Sequence, residues 1–346
     1  MDDVEHLIVG AGPAGLRAAQ VLAEAGREVL VLEKRSEIGP KTCAGGLTAK
    51  SMRELQPLGL PPNSTLASEG HVAFAGGQAV VLDTELTLVH TIPRRELGRY
   101  QLQWARAAGA TISAGSAVTA IDLAGRTVIA GGRRIRWRHL LGADGADSAV
   151  RRALALESPR EYFAAEYNVP GLRLEPLRIE ADPARLGNGY FWIFPHHAYT
   201  SVGAVAPKHA VPPATLRRYL NERCDGLGVS RTGVPFEGAT LEVLYRGFHF
   251  PGGVHLAGDA AGVPSSLTAE GIYAALVTGE EVALAMMEPT APTPKTRSWL
   301  RTKRRHDRLA RWLARPAARD GTLRLFAGIG KTPWLRRPLA SWLLSG

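Results

Sequence analysis

One stretch near the start of the chain restricts its fold more than any other. Residues 6–34 read "HLIVGAGPAGLRAAQVLAEAGREVLVLEK". An apolar strand, Leu7–Val9, turns through Gly10, Gly12 and Gly15 into a segment whose apolar residues Leu16, Ala19, Val21 and Leu22 recur at helical spacing. A second apolar run, Val29–Leu32, ends at Glu33. Gly10 permits the tight turn, Gly12 lets backbone approach a pyrophosphate, and Gly15 lets helix pack on strand. Pro13 and Ala14 sit between the second and third glycines, at the helix start, where unpaired N–H groups and the positive dipole end favour phosphate. Glu33, about 20 residues on and followed by Lys34, suits a ribose 2′-hydroxyl and would repel a 2′-phosphate. Three glycines alone are a weak sign. With strand, helix, second strand and acid around them, they specify an α/β, Rossmann-like dinucleotide-binding unit.

That unit does not separate FAD from NAD, but two later segments do. "LLGADGADSAVRRAL" (residues 140–154) places Asp144 and Gly145 after an apolar run, with Ser148 and Arg151 behind. "GGVHLAGDAAGVPSSLTAEGIYAALVTGEEVALAM" (residues 252–286) places Gly258 and Asp259 at a strand end, followed by small residues and a helix starting at Gly271 and Ile272. An Asp at the end of such a strand accepts hydrogen bonds from ribityl hydroxyls. A helix N-terminus brings backbone N–H groups to a flavin's pyrimidine edge. The cofactor expected is FAD. No second glycine fingerprint occurs, so the reductant, NAD(P)H or a protein such as ferredoxin, must visit the flavin as a transient donor.

The segment "YFWIFP" (residues 190–195) puts four aromatics into six positions of a chain that is only 7% aromatic. On a strand, Tyr190, Trp192 and Phe194 project to one face and Phe191 and Ile193 to the other. Taken alone, the stretch reads either as a sheet buried on both faces or as an aromatic wall facing a ligand. Pro195, lacking an N–H, is expected to end the pairing.

Bulk properties narrow the class further. With 346 residues, 45% of them hydrophobic, two domains are a reasonable expectation. Two cysteines, Cys43 and Cys224, make neither a disulfide framework nor a metal cluster. No secretory start and no run of the ~20 apolar residues needed to span a bilayer is present, so the expectation is a cytoplasmic protein, soluble or peripheral at a membrane. The net charge of +10 is uneven: from Lys295 onward there are 14 Lys/Arg against two Asp, and the preceding body is close to neutral. This argues against nucleic acid as a partner and for a tail that meets something anionic, either a membrane surface or an acidic protein. Trp299, Leu300, Leu309, Trp312 and Leu313 partly share a helical face among the arginines, with Trp334 and Trp342 beyond. Helices that simply pack on the body with solvated charges are the plain alternative.

Taken in order, these motifs resemble the FAD-dependent superfamily of p-hydroxybenzoate-hydroxylase-like flavoproteins, and within it the geranylgeranyl reductases. The aromatic stretch matches the Y-x-W-x-F-P motif of that branch, with its later Val-Gly at Val202 and Gly203. "KTCAGGL" (residues 41–47) resembles its cysteine-glycine segment. The resemblance implies that Gly10, Gly12, Gly15 and Glu33 bind the ADP half of FAD, Asp259 the ribityl chain, and Asp144 and Gly145 a neighbouring part. It makes "IPRRELGRYQLQWARAAGA" (residues 92–110) an Arg-led helix whose Arg94, rather than Arg95, contacts the cofactor. A surface cation is the other reading of Arg94. It implies an inserted antiparallel sheet walling a long apolar pocket, where at roughly 0.8 kcal/mol per buried CH₂ an isoprenoid chain is held by burial alone. Candidate catalytic residues are Cys43, Tyr190 and Trp192, although the two aromatics also read as plain core. Cys43 is either a small packed residue or a group beside the flavin ring, and Gly45 and Gly46 would permit close approach to that ring.

The resemblance also shows departures. Ser266 stands where the family has Pro. Ala269 stands where it has Gly, and its Cβ is expected to crowd the flavin edge. His196 and His197 are candidate proton donors or phosphate contacts, at most one of them facing the flavin, and read singly as ordinary surface histidines. The organisation expected is an interrupted FAD-binding domain (1–65, 93–157 and 245–290), a substrate domain (66–92, with a Gly-Gly hairpin, and 158–244), and a basic helical segment, 291–346. The activity implied is reduction of C=C bonds in a polyprenyl or other apolar substrate. An electron-supplying flavoprotein for a partner and, further off, a flavin hydroxylase are the alternatives.

Overall fold

The computed structural model describes residues 2–315, apart from 69, 75–77, 82–88, 157–160 and 290, together with 317–319 and 322. The fingerprint folds as its sequence dictates. The strand Asp2–Val9 lies between Val29–Leu32 and Arg133–Gly142, parallel to both. The order across this sheet is His249–Phe250, Val254–Leu256, Arg133–Gly142, Asp2–Val9, Val29–Leu32 and Thr111–Ser113, with a side ladder of Val118–Asp122 and Thr127–Ala130. Leu7, Ile8, Val31, Leu140 and Leu141 are fully buried, as parallel strands covered on both faces require. The helix Pro13–Glu24 packs between Ile272–Met287 and Arg94–Ala107. Its close approach to the turn at Gly10 depends on Gly15, where a Cβ would fall 2.0 Å from the Gly10 carbonyl oxygen.

A second, seven-stranded sheet runs Glu237–Glu242, Glu161–Pro170, Tyr199–Pro207, Tyr190–Pro195, Leu177–Ala181, Gly70–Phe74 and Gln78–Val81. It is antiparallel except where Leu177–Ala181 meets Gly70–Phe74 in parallel. That exception is the join between two segments distant in sequence, where no hairpin dictates the direction. The strands flanking the Gly-Gly pair, Gly70–Phe74 and Gln78–Val81, pair antiparallel, and residues 75–77 lie outside the described residues. A small third sheet joins Gly46–Leu47, Val89–Thr91 and Leu66–Ser68.

The period-two reading of the aromatic strand is realised. Phe191 and Ile193 pack with Val202, Leu216 and Tyr219 under the helix Pro213–Gly226. Trp192 and Phe194 pack with Leu177, Val205 and Tyr190 on the other face. The ladder ends at Pro195, opposite Thr200, and the chain turns back through His196.

The basic segment forms the helix Pro294–Leu313, started by Thr293, whose side chain accepts from Thr296 N–H. Trp299 and Leu313 are buried, Leu300 and Leu309 half-buried, and Trp312 is 51% exposed. The expectation that Trp312 shares the face of Trp299 is therefore corrected: thirteen residues at 3.6 per turn set it about 140° away. Trp334 and Trp342 lie outside the described residues. Among the described residues, no helix is long and apolar enough to cross a membrane.

Candidate functional site

A cleft of about 460 Å³ opens along the carboxyl ends of the parallel strands, where open α/β sheets bind their ligands. Gly10, Gly12, Pro13, Ala14, Glu33, Lys34, Arg94, Asp144, Gly145, Gly258 and Asp259 all line it. Gly12 is the open point. A Cβ built there meets no protein atom nearer than the Ala143 carbonyl oxygen at 4.0 Å. The helix behind it has no side-chain cap among the described residues.

Glu33 is held in place by Ala11 N–H (2.8 Å to Oε2) and Arg35 N–H (3.0 Å to Oε1). Arg94 opens its helix and faces the cleft with its Nε buried and unpaired. Arg95 is exposed and pairs with Glu37. Asp144 is pushed above the usual carboxylate range by burial, against the pull of its hydrogen bonds from Ser148 and from Ala149 and Val150 N–H. Asp259 Oδ2 accepts from Lys41 Nζ at 2.8 Å. An open phosphate cradle, a half-buried arginine whose Nε has no partner among the described residues, and an acid at a strand end fit FAD.

The cleft does not include Cys43, Tyr190, Trp192, Gly15, Gly271 or Ile272. Gly15 serves helix packing, and Gly271 immediately precedes the helix Ile272–Met287. The other three meet in a second constellation, organised by a residue that sequence reading missed. Glu166, 1% exposed, accepts from Cys43 N–H (2.8 Å) and from Ser201 Oγ–H (2.7 Å), and Trp192 Nε1–H donates to the same Ser201 oxygen at 2.9 Å. The cysteine loop is thereby tied to the aromatic strand. Burial pushes the Glu166 acid above its usual range, and these hydrogen bonds oppose the shift.

Tyr190 O–H donates to Thr268 O at 2.8 Å, and its ring lies 6.2 Å from that of Trp192. Burial, with the charges of Cys43 and Glu270 adding, raises its phenol. Gly45 and Gly46 admit protein: a Cβ would fall 2.4 Å from Ile92 O at Gly45 and 2.6 Å from the Phe194 ring at Gly46.

One expectation changes. His196 is no surface residue, being 1% exposed with Nε2 3.0 Å from Ala44 O and its ring stacked on Tyr199. Burial lowers its pKa to about 4, so the ring is neutral near pH 7 and a poor proton donor. His197 is exposed. Ala269, at φ +52°, packs against the Trp192–Phe194 cluster. Ser266, in place of proline, donates to Asp307 Oδ1 of the basic helix at 2.6 Å. Proline could not make that bond.

The fold and cleft define a dinucleotide-binding flavoprotein, and comparison with known proteins gives the class. The chain matches the family described as FAD binding domain over residues 3–216. It is 32% identical over 314 residues to digeranylgeranylglycerophospholipid reductase 1 of Methanopyrus kandleri, covering 83% of this chain and 82% of the relative. It is 30% identical over 320 residues to menaquinone reductase of Mycobacterium tuberculosis, covering 82% and 76%. The fold is shared with a geranylgeranyl bacteriochlorophyll reductase-like protein of Thermoplasma acidophilum, with TM-score 0.78, 21% identity, and coverage of 96% and 92%. The protein is an FAD-dependent oxidoreductase. It belongs to the geranylgeranyl reductase family.

Proposed function

We propose that this protein saturates C=C bonds of a polyprenyl or similarly apolar substrate, with electrons entering from NAD(P)H or reduced ferredoxin. The observation that carries the reading is the Cys43–Glu166–Ser201–Trp192 network, which fastens an aromatic strand to the loop beyond the cofactor cleft. Relatives named as reductases of a digeranylgeranyl lipid and of menaquinone support the same substrate class.

Bound FAD, once reduced, supplies hydride from N5. The chain's residues do the rest. Gly10, Gly12, Pro13 and Ala14 receive the pyrophosphate, Glu33 the adenosine ribose, Asp259 the ribityl hydroxyls, and Gly271 and Ile272 the pyrimidine edge. Arg94, Lys34, Asp144 and Gly145 complete the cofactor's surroundings, with Gly258 turning the chain into Asp259. Tyr190, Trp192 and Phe194 present apolar surface and exclude water, which an unactivated alkene requires because it is a poor base. Cys43 places the substrate and takes part in proton delivery.

The test is anaerobic. The flavin is reduced with NADPH, NADH or reduced ferredoxin, and geranylgeranyl diphosphate or an unsaturated ether lipid is added. Reoxidation on adding an isoprenoid is the expected result. A flavin that reduces normally and ignores every isoprenoid would transfer the reading to an electron-supplying flavoprotein.

A further inference from the structure

We propose that the outer face of the helix Pro294–Leu313 docks on an anionic lipid surface. Arg297, Arg301, Arg304, Arg308, Arg311 and, just past the helix, Arg315 follow one another at alternating intervals of four and three residues. That spacing places them on one stripe. All six are exposed, and the stripe is about 27 Å long at 1.5 Å per residue. The single acid between residues 294 and 315, Asp307, is turned inward onto Lys303 and Ser266, so no carboxylate interrupts the stripe. Beside its far end stands Trp312, 51% exposed, with the Arg315 guanidinium 6.0 Å from its ring centre. An amphipathic indole next to arginines is the pairing that settles at a bilayer's headgroup level.

The inner face of the same helix favours lipid over an acidic protein, and this choice rests on the apolar-substrate reading above. His306 Nδ1 lies 2.8 Å from Ser265 Oγ, and Asp307 accepts from Ser266. These serines begin the loop whose Thr268 carbonyl receives the Tyr190 hydroxyl. The helix thus lies over the segment that contacts the aromatic strand. A face that settles on a bilayer brings this side of the protein to the place where an apolar substrate resides.

The experiment is sedimentation of the full-length, FAD-loaded protein with vesicles of saturated phosphatidylcholine, with and without saturated phosphatidylglycerol. The variants are R301Q/R304Q/R308Q and, as a control of equal charge loss elsewhere, R133Q/R134Q/R136Q. Wild type and control are expected to bind the anionic vesicles, to ignore the neutral ones and to be released by salt. The stripe variant should lose about 100-fold in partitioning, at roughly fivefold per arginine, with an unchanged flavin spectrum. Equal binding to neutral and anionic vesicles, or equal loss in stripe variant and control, would overturn the proposal. So would a wild type that ignores both vesicles and instead binds reduced ferredoxin through the stripe. The vesicles hold no reducible lipid and the readout is binding, so failure here is distinct from failure of the reductase reading, which the reoxidation assay decides.

Discussion

Two alanine substitutions three residues apart separate folding from cofactor binding. At Gly15 a Cβ would stand 2.0 Å from Gly10 O, a backbone atom that cannot swing aside. Helix and turn would have to part, and overpacking of this kind costs about 1–3 kcal/mol. At Gly12 the backbone is at φ −79°, which alanine adopts freely, and the nearest protein atom to a Cβ is 4.0 Å away. Gly12→Ala should therefore leave the FAD-free protein as stable as wild type or slightly more so, by about 0.4–1 kcal/mol. Its methyl group, however, enters the space assigned to the pyrophosphate. Losing one charge-assisted contact, about 1.5–3 kcal/mol, weakens FAD binding roughly 10- to 150-fold. Thermal unfolding of the FAD-free proteins and titration of flavin fluorescence measure the two quantities. A Gly12→Ala protein that binds FAD like wild type would refute the placement of the phosphate, and a Gly15→Ala protein of undiminished stability would refute the packing argument.

Asp259→Asn should weaken FAD binding about tenfold through loss of a charged hydrogen-bond acceptor, read in the same titration. Glu166→Ala leaves Cys43 N–H and Ser201 Oγ–H without their acceptor and should cost about 1–3 kcal/mol in unfolding free energy. Glu166→Gln tests the sign of the buried charge. A folded-state pKa raised above the unfolded value means that wild type loses stability as pH rises through the folded value, so its melting temperature should fall relative to Glu166→Gln on going from acid to neutral pH. Across the nucleotide sheet, His6, His139 and His255 stack in a row, with His249 Nδ1 2.9 Å from His255 Nδ1. Burial lowers all four, His255 to about 3, so their stability is present above the unfolded pKa and lost as pH falls toward the folded values. At about pH 5, His255 alone removes about 2 kcal/mol. The acid limb of a melting-temperature profile should be steep, and shallower in His255→Asn.

What was legible in the sequence follows from local geometry. The fingerprint could be read because two of its constraints are local: Gly10 turns at φ +103°, and Gly15 packs on the Gly10 carbonyl five residues before it. The two faces of residues 190–195 could be read because strand alternation is independent of context. What escaped was made by pairing across long separations. Glu166 sits in the plain-looking strand Glu161–Pro170, and only the fold brings Cys43, 123 residues away, onto it. Lys41 meets Asp259 across 218 residues. His196 reads as a surface residue after a proline, yet the hairpin turn carries its ring beneath Ala44. Ser266 looked like a defect in a family pattern until the basic helix supplied Asp307 as its partner.

The most direct test of the account is the mass of the product formed when the reduced, FAD-loaded protein meets an unsaturated isoprenoid lipid, first without oxygen and then with it. The account predicts a product that gains two hydrogens per double bond under both conditions and carries no added oxygen. A product that gains an oxygen atom, and forms only in air, would contradict it and make the protein a hydroxylase.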